Sequence, residues 1–416
     1  MSIGCGRRID YLESQCRNLG ITVVPAGRKM MKDDYVKALR NYFLTERYGS
    51  LENIPWSLSF MLSIESPQLC RRIKDLKEAQ QKLVWESSDW IAEPKIDGCR
   101  MLLLYDATEK KFHFYSRNNS VEDYLPQDYS DTIYVTSKDF DYNYNFVLDC
   151  EVISTDPEAE TNIRCLTQLQ STAAILALNT ADSIQVQKRS PLKFIVFDCL
   201  QDNDRLIDSV WTVRHAHAEK LCGLLVKHGF CCELNKVIKN TPDNSYAKRE
   251  FYEQYVAQNG EGVVLKNINA VYHATSSRTI DCVKVKRSSQ DNFTNDIDAF
   301  ITDFVVGNDD TRNANMVVGF VFSVKMEKEN GSIVTHPIAT CSNVSDYIKE
   351  DATVSDSTGN VKLNPDYYGR VATVQGQNIS ARSLRLTHAV IDQWRPDKSA
   401  DGCEILKELD LRRLIF

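Results

Sequence analysis

Two short segments carry like charges at alternate positions, which is how a strand would present them on one face. Asp149 and Glu151 stand in the segment LDCE (148–151), and Lys284 and Lys286 stand in the segment KVK. Because alternate side chains of a strand point the same way, each pair would place its charges together. Carboxylate oxygens suit hard divalent cations, and ammonium groups suit phosphoryl oxygens. These four residues are therefore candidates for chemistry on a phosphate.

Lys95 is the candidate nucleophile. It stands in EPKIDGCR (93–100), and K-x-D-G taken alone predicts only a surface lysine before a turn. The charged segments further along the chain change that interpretation. An amine that attacks phosphorus has to be uncharged, whereas free lysine is protonated at neutral pH, and Lys284, Lys286 and a divalent metal would lower the pKa of Lys95. The predicted catalytic residues are Lys95, Asp97, Lys284 and Lys286.

Short strands mixed with helices are predicted between Trp90 and Lys286. Branched and aromatic residues dominate segments such as RMLLLYD, NFVLDCEVI and LKFIVFDCL, and this composition is typical of strands. Residues 163–178 and 210–228 have helical spacing of their apolar residues. The pattern predicts an α+β domain of about 200 residues.

The chain beyond this domain has a different pattern. Polar residues 286–296 are typical of a linker. The strand-like segments that follow within 297–395 favour a small Greek-key β-barrel such as an OB-fold. Residues 346–366 are expected to form a long surface loop within it.

The first 50 residues are predicted to be helical and locally basic. They carry nine Lys/Arg against five Asp/Glu, although the net charge of the whole chain is −7. Two interpretations remain open: the basic residues form the solvated face of a small helical pair, or they bind a DNA backbone.

The composition excludes several classes of protein. With 416 residues and 43% apolar residues, the chain is not disordered. Its thirteen cysteines contain no C-x-x-C pair, which argues against a zinc ribbon and favours reduced, mostly buried thiols. No apolar run reaches the roughly 20 residues of a membrane span. No signal peptide is predicted either, and we expect a cytoplasmic protein.

Seven segments, in this order, resemble the nucleotidyltransferase motifs of ATP-dependent DNA ligases, whose superfamily includes RNA ligases and mRNA capping enzymes. They are K-x-D-G at Lys95, S-R-N at 116–118, D-C-E at 149–151, F-D at 197–198, EGVVLK at 261–266, K-V-K at 284–286 and R-P-D-K at 395–398. The resemblance extends over residues 55–398. In its compact size the chain resembles ligases of the viral or phage type.

The resemblance implies a role for each matching residue. Lys95 would carry AMP covalently, Arg100 and Glu151 would hold the ribose, and Arg117 would bind the 5′-phosphate of a nicked DNA strand. The implied ATP-binding residues are Glu93, Lys95, Arg100, Glu151, Phe197, Glu261, Lys284, Lys286, Arg395 and Lys398. Glu151 and Glu261 are the implied ligands of Mg²⁺ or another hard divalent cation. Lys266 fits a salt bridge and a phosphate contact equally well.

The implied organisation has three parts: a mainly helical, DNA-binding region (1–85), a nucleotidyltransferase or adenylation domain (86–288) and an OB-fold domain (289–416). The implied cofactors are ATP and Mg²⁺, the implied partner is nicked duplex DNA, and we expect a monomer. An RNA ligase of the same superfamily remains the main alternative. A capping guanylyltransferase, or a DNA-end-binding scaffold built on an inactive ligase core, fits the same motifs less well.

Overall fold

The structure, a computed structural model, describes residues 9–23, 30–120, 122–137, 139–155, 168–258, 260–286, 294–308, 311–376, 378–380 and 383–413. Residues 12–287 make up most of one compact unit, and residues 288–416 make up most of a second. Within the described ranges, no helix has both the length and the apolar character needed to cross a bilayer.

The first unit alternates helices and strands. Its helices are α1 (Ile9–Asn18), α2 (Lys32–Tyr48), α3 (Trp56–Leu62), α4 (Glu78–Glu86), α5 (Gln168–Leu176), α6 (Thr180–Arg189), α7 (Trp211–Lys227) and α8 (Ala247–Ala257). Its strands are β1 (Leu69–Arg72), β2 (Trp90–Pro94), β3 (Cys99–Asp106), β4 (Lys111–Asn119), β5 (Pro126–Asp128), β6 (Phe146–Ser154), β7 (Leu192–Asp202), β8 (Asp204–Arg205), β9 (Cys232–Leu234), β10 (Ile238–Lys239), β11 (Gly262–Asn267) and β12 (Arg278–Lys286).

These strands form two sheets. The five-stranded sheet has the order β1-β12-β11-β2-β10, and the seven-stranded sheet has the order β5-β4-β3-β6-β7-β8 with β9 paired to β7. Each sheet buries a face in its own apolar core, and the seven-stranded sheet also buries part of its other face. Val263 and Val283 pack with Trp85 of α4, whereas Val196 packs with Leu221 of α7. Because strand side chains alternate, the polar residues between these core positions point to the opposite face of each sheet.

The N-terminal helices share a core with the seven-stranded sheet. Leu44 of α2 and Leu58 of α3 pack with Leu102 of β3. Arg40, one of the basic residues noted in the sequence, donates from Nε to the carbonyl oxygen of Tyr124 at 3.0 Å. Part of the basic character of α2 therefore serves contacts within the first unit.

The second unit is mostly β. Its elements are β13 (Thr294–Val306), β14 (Val317–Glu327), β15 (Ile333–Cys341), α9 (Asp346–Ala352), β16 (Thr353–Ser355), β17 (Val361–Leu363), β18 (Val371–Gly376), β19 (Asn378–Ile379), β20 (Leu386–Thr387), β21 (Val390–Trp394), β22 (Ile405–Lys407) and α10 (Glu408–Arg413). Five strands pair in the order β15-β14-β13-β18-β21, and β22 joins β14. In the described residues this sheet does not close into a barrel.

The structure confirms the predicted α+β class and corrects finer predictions. Residues 346–366 are not a long loop: Ser345 caps α9 by accepting from the Ile348 N–H, and a hairpin of β16 and β17 follows. Polar hairpin strands lack the apolar alternation by which strands are recognised in a sequence. Residues 163–167 of one predicted helix and residues 287–293 of the predicted linker lie outside the described residues.

The cysteines are not all reduced. Cys70 of β1 and Cys282 of β12 form a disulfide whose Cα atoms are 4.6 Å apart, across 212 residues of sequence. Nine other cysteines in the described residues are free, and most of these are buried.

Replacing Gly262 with alanine should destabilise the first unit. Gly262 has a φ of +135°, and a Cβ there would lie 2.1 Å from the carbonyl oxygen of Val285 on the neighbouring strand. Backbone strain of this kind costs about 2 kcal/mol, so Gly262→Ala should lower the midpoint of thermal unfolding. Gly223→Ala on α7 is the matched control, because a Cβ there meets nothing within 4 Å and alanine favours a helix. Equal midpoints for the two variants would contradict this prediction.

Candidate functional site

A cavity of about 480 Å³ lies between the two sheets of the first unit. The five-stranded sheet contributes residues of β1, β2, β11 and β12, and the seven-stranded sheet contributes residues of β3, β4, β6 and β7. Of the predicted site residues, the cavity is lined by Glu93, Lys95, Arg100, Arg117, Glu151, Phe197, Lys284 and Lys286. Segments that are far apart in the sequence therefore meet around one space.

Glu261 joins two of the predicted lysines at this cavity. Lys95 follows β2, and its backbone N–H donates to the carbonyl oxygen of Gly262 at 2.9 Å. Its Nζ forms an ion pair with Oε2 of Glu261, and Lys286 Nζ lies 2.8 Å from Oε1 of the same carboxylate. Burial alone would raise the pKa of Glu261, but the two ammonium groups outweigh it and the pKa is lowered. A carboxylate, not a cation, is thus the direct contact of Lys95.

Lys284 is a third cation on the same sheet. It stands opposite Val264 in the pairing of β11 with β12, two positions before Lys286 and on the same face of the strand. Burial, and then the positive charges of Arg278, Lys286 and Lys95, lower the pKa of Lys284 to about 8. Its ammonium group is therefore close to titration at neutral pH.

Glu93 marks a buried end of the cavity. Lys266 Nζ lies 2.9 Å from its Oε2, and Asn235 donates to the same oxygen at 3.3 Å. Burial raises the pKa of Glu93, although Lys266 opposes the shift. Its Oε1 is buried and has no hydrogen-bond partner in the described part of the chain. Lys266 is thus the partner of a buried carboxylate, and Glu93 keeps an oxygen that a ligand donor would satisfy.

The ring of Phe197 lies near this buried end. Lys266 donates to the backbone carbonyl of Phe197 at 3.0 Å, and its Nζ lies 4.8 Å from the ring centroid. The Arg100 guanidinium lies 5.4 Å from the same centroid. A flat ligand that stacks on Phe197 would share the ring with these cations.

Arg100 is held by several partners. Its Nε and Nη2 donate to the two oxygens of Asp149 at 2.9 and 2.6 Å, and its Nη1 donates to the carbonyl oxygen of Gln68 at 2.6 Å. Asp149 is fully buried, so this bidentate pair compensates for the loss of water around both charges.

Glu151 is the half-buried carboxylate beside this pair. It stands opposite Arg100 in the pairing of β3 with β6, and Cys150 between Asp149 and Glu151 points into the apolar core. Burial raises the pKa of Glu151 to about 7, although Arg100 and Lys95 oppose the shift. The negative charge of Glu261 also contributes to the rise.

Four predicted residues are not among those that line the cavity. Glu261 is one of them, although it contacts the lining residues Lys95 and Lys286. Asp97 is half-buried in the loop after β2 and is not among the lining residues. Arg395 and Lys398 belong to the second unit, where both pair with Asp298 of β13; the Arg395 Nη1 to Asp298 Oδ2 distance is 3.0 Å.

Several cavity residues were not predicted from the sequence. Gln68, Asn235, Tyr272, Arg278 and the disulfide between Cys70 and Cys282 all line it. A buried tyrosine or amide has no charge pattern that would distinguish it from an ordinary core residue. Only the position of Cys282, two residues before Lys284 on the same strand face, could have indicated that it lines the site.

The carboxylates alone do not make a complete metal site. No group of three or more His, Cys, Asp or Glu side chains arranged to hold a metal occurs among the residues searched, which are the described ones. Mg²⁺ commonly uses one or two protein carboxylates together with water and substrate phosphates. Glu151 and Glu261 fit that smaller set.

The fold and the cavity define a class of binding site. Clustered lysines suit phosphate oxygens, and an aromatic ring beside a buried, unsatisfied carboxylate oxygen suits a flat base with an amino group. The profile of a family described as "ATP dependent DNA ligase domain" matches residues 67–286. The chain belongs to this family.

Individual relatives are distant. The chain is 28% identical over 244 residues to "DNA ligase 4" of Cryptococcus neoformans var. neoformans serotype D, which covers 56% of this chain and 22% of that protein. It is 26% identical over 222 residues to a "Probable DNA ligase" of Streptomyces coelicolor, which covers 53% of this chain and 38% of that protein. The matches thus span well under half the length of these relatives.

A solved structure named "Pmar-Lig_Pre." has the same fold. The similarity covers 88% of this chain and 72% of that chain, with a TM-score of 0.53 and 15% sequence identity. It therefore includes parts of both units.

The affinity of the protein for a nucleoside triphosphate should fall as the pH rises and Lys284 loses its positive charge. Since its pKa is about 8, binding of α,β-methylene-ATP, which cannot transfer AMP, should weaken about tenfold between about pH 7 and pH 9. Lys284→Arg should remove most of that dependence, because arginine stays charged over this range. Calorimetric titration across the range checks this, and an equal loss of affinity in both proteins would contradict it.

Glu151 should make stability depend on pH in the opposite sense to a carboxylate whose pKa is lowered by an ion pair. Its pKa is raised from 4.5 to about 7, so its stabilising contribution is complete below about pH 4.5 and is lost as pH rises through 7. The glutamine of Glu151→Gln has no charge to bury. As pH rises from 5 to 8, the free energy of unfolding of this variant should therefore increase relative to that of the wild type by up to about 3 kcal/mol. Glu253→Gln, at an exposed position of α8, should show no such gain in thermal melts, and an equal gain there would contradict the assignment.

Proposed function

We propose that this chain is an ATP-dependent DNA ligase that seals nicks between a 5′-phosphate and a 3′-hydroxyl in duplex DNA. The observation that carries the proposal is the contact of Lys95 with Glu261 at a cavity lined by Lys284 and Lys286. Family membership supports ATP as the nucleotide. Cytoplasmic location and a monomeric state remain predictions from the sequence.

In the first step, Lys95 Nζ attacks the α-phosphorus of ATP. An N–P bond forms, the bond between the α-phosphorus and the bridging oxygen breaks, and pyrophosphate leaves with that oxygen. The ammonium group first has to lose a proton to water. The ion pair with Glu261 favours the charged amine, so this loss requires that Glu261 exchange its contact with Lys95. Lys284 and Lys286 neutralise charge on the phosphoryl oxygens as pyrophosphate departs.

Two further transfers complete the reaction. The DNA 5′-phosphate attacks the phosphorus of lysyl-AMP, which returns the electron pair to Nζ and forms a DNA-adenylate. The 3′-hydroxyl then attacks the DNA phosphorus and displaces AMP. Arg117, which lines the cavity beside Ser116 and Asn118, is the proposed contact for the 5′-phosphate.

The buried end of the cavity fits adenine. Glu93 Oε1 has no partner within the described ranges, and an adenine amino group would supply the missing donor. Phe197 offers a ring surface on which the base would stack. Arg100 and Glu151 are the proposed ribose contacts.

Glu151 and Glu261 would hold Mg²⁺ together with the phosphates of ATP. When bound, the ion neutralises charge that accumulates on the phosphoryl oxygens. In the structure Glu261 is already paired with Lys95 and Lys286. Its role as a metal ligand therefore requires that it exchange at least one of these partners.

The proposed roles of the second unit and the N-terminal region rest on the sequence resemblance. Arg395 and Lys398 are proposed to bind the triphosphate, for which they would exchange Asp298 for phosphate oxygens. Residues 1–85 are proposed to contact DNA, although Arg40 and Arg47 of α2 already bind residues 124 and 123 of the first unit.

Lys95→Ala should abolish transfer of label from α-labelled ATP to the protein while binding of nicked DNA persists. Loss of the amine removes the atom that forms the N–P bond, whereas Arg117 and residues 1–85, the proposed DNA contacts, are unchanged. Lys111→Ala, at an exposed position of β4, is the matched control and should label normally. Label retained by Lys95→Ala would remove Lys95 from its proposed role.

The same assay separates the alternatives. Wild-type protein is incubated with each α-labelled nucleoside triphosphate and then chased with nicked DNA or nicked RNA. Labelling by ATP followed by sealing of DNA supports the proposal, whereas sealing of RNA alone would indicate an RNA ligase and labelling by GTP alone a capping enzyme.

A further inference from the structure

Tyr272 is a buried tyrosine next to the proposed ribose-binding residues, in the loop between β11 and β12. It is 3% exposed, and its ring packs in the core that contains Leu102 and Ile207. Its backbone N–H donates to the carbonyl oxygen of Ile207 at 2.9 Å. The ring is therefore fixed by packing, and its hydroxyl reaches the cavity wall from a defined position.

The hydroxyl of Tyr272 makes three hydrogen bonds. It donates to Asp149 Oδ2 at 2.6 Å, and it accepts from Arg100 Nη2 at 3.2 Å and from the Gln68 N–H at 2.9 Å. Burial and the charge of Asp149 raise the pKa of Tyr272 well above its ordinary value, so the hydroxyl keeps its proton and remains the donor. A phenol has one donor and two acceptor sites, and here all are used.

The guanidinium of Arg100 is consequently fixed from three chain segments. Asp149 holds it from β6, the Gln68 carbonyl holds it from the segment before β1 at 2.6 Å, and Tyr272 holds it from the β11–β12 loop. With Asp149 as its only partner, the guanidinium of Arg100 could still rotate about the carboxylate. A bidentate pair aligns the two planar groups, but it does not fix the position of the guanidinium relative to the cavity. Tyr272 contacts both members of that pair, so it fixes the pair as a unit.

We propose that Tyr272 is a positioning residue that sets the orientation of Arg100 toward the nucleotide sugar. This inference rests on the proposed function, in which Arg100 and Glu151 hold the ribose. Tyr272 touches Arg100 and Asp149, not the reacting atoms, so it acts on sugar recognition and leaves the transfer of AMP to Lys95 unaffected.

The test is self-adenylylation of Tyr272→Phe with ATP and with 2′-deoxy-ATP. The variant keeps the packed ring and removes only the hydroxyl. Its KM for ATP should rise about fivefold, as expected for one lost hydrogen bond at a charged group. Its kcat should stay within about twofold, and its preference for ATP over 2′-deoxy-ATP should shrink by about threefold or more. Tyr142→Phe, which loses a hydroxyl bonded to Asp202 at 2.8 Å, is the matched control and should match the wild type.

A double-mutant cycle tests whether Tyr272 acts through Arg100. If it does, Tyr272→Phe should have no further effect on KM or on sugar preference in an Arg100→Lys background. Additive effects would overturn the proposal, as would an unchanged sugar preference in the single variant. If Tyr272→Phe fails to fold, Asp149→Asn is the second variant, because it removes the charge that binds Arg100 and Tyr272 while keeping nearly the same side-chain volume. This variant should also lose preference for ATP over 2′-deoxy-ATP. An unchanged nucleotide preference in Asp149→Asn would overturn the proposal as well.

A general loss of stability can be told apart from the proposed role. Such a loss would lower the thermal midpoint and the amount of active protein without changing the ratio between the two nucleotides. If the wild type takes no label from any nucleotide, the proposed function itself fails. If the wild type is labelled but Tyr272→Phe keeps the full sugar preference, only the role of Tyr272 fails.

Discussion

One carboxylate shared by two ammonium groups is the interaction on which the site depends. Glu261 binds Lys95 through one oxygen and Lys286 through the other. This is feasible only because β2, β11 and β12 are adjacent in one sheet, with Gly262 opposite Lys286 and bonded to the Lys95 N–H. The pair keeps Lys95 at the cavity while its charge is balanced. In the proposed reaction, the Lys95 amine therefore becomes a nucleophile only after Glu261 has exchanged its contact with Lys95 for another partner.

The rest of the cavity follows the same rule that a buried charge needs a partner. Asp149 is satisfied by Arg100 and Tyr272, and Glu93 is satisfied on one oxygen by Lys266. In the part of the chain that the structure describes, Oε1 of Glu93 has no hydrogen-bond partner, and an unsatisfied buried oxygen of this kind calls for a ligand that completes the bonding. The alternation of strand side chains directs these polar groups to the cavity and their sequence neighbours into the apolar cores.

The sequence predicted most of the charged residues that meet at the cavity, although not Asp97, Arg395 or Lys398, which do not line it. It did not predict how the charged residues pair. Motif order and strand alternation placed Asp149 beside Glu151, and Lys284 beside Lys286, because these features are local. Pairing depends on the register between strands that are distant in the sequence. The sequence therefore left open whether Lys266 forms a salt bridge or contacts a phosphate, and the structure pairs it with Glu93. Tyr272 had no local signal, and neither did the pairing of Cys282 with Cys70, which are 212 residues apart in the sequence. The hairpin within 346–366 was missed because its strands are short and polar.

In the proposed reaction, Lys95, held by Glu261, is the residue that becomes covalently modified by AMP. Tandem mass spectrometry of peptides from protein incubated with ATP and Mg²⁺ tests this most directly. We expect a single AMP adduct, carried by the Lys95 side chain, that disappears when nicked DNA is added. An adduct on Lys284 or Lys286, with Lys95 unmodified, would contradict the account.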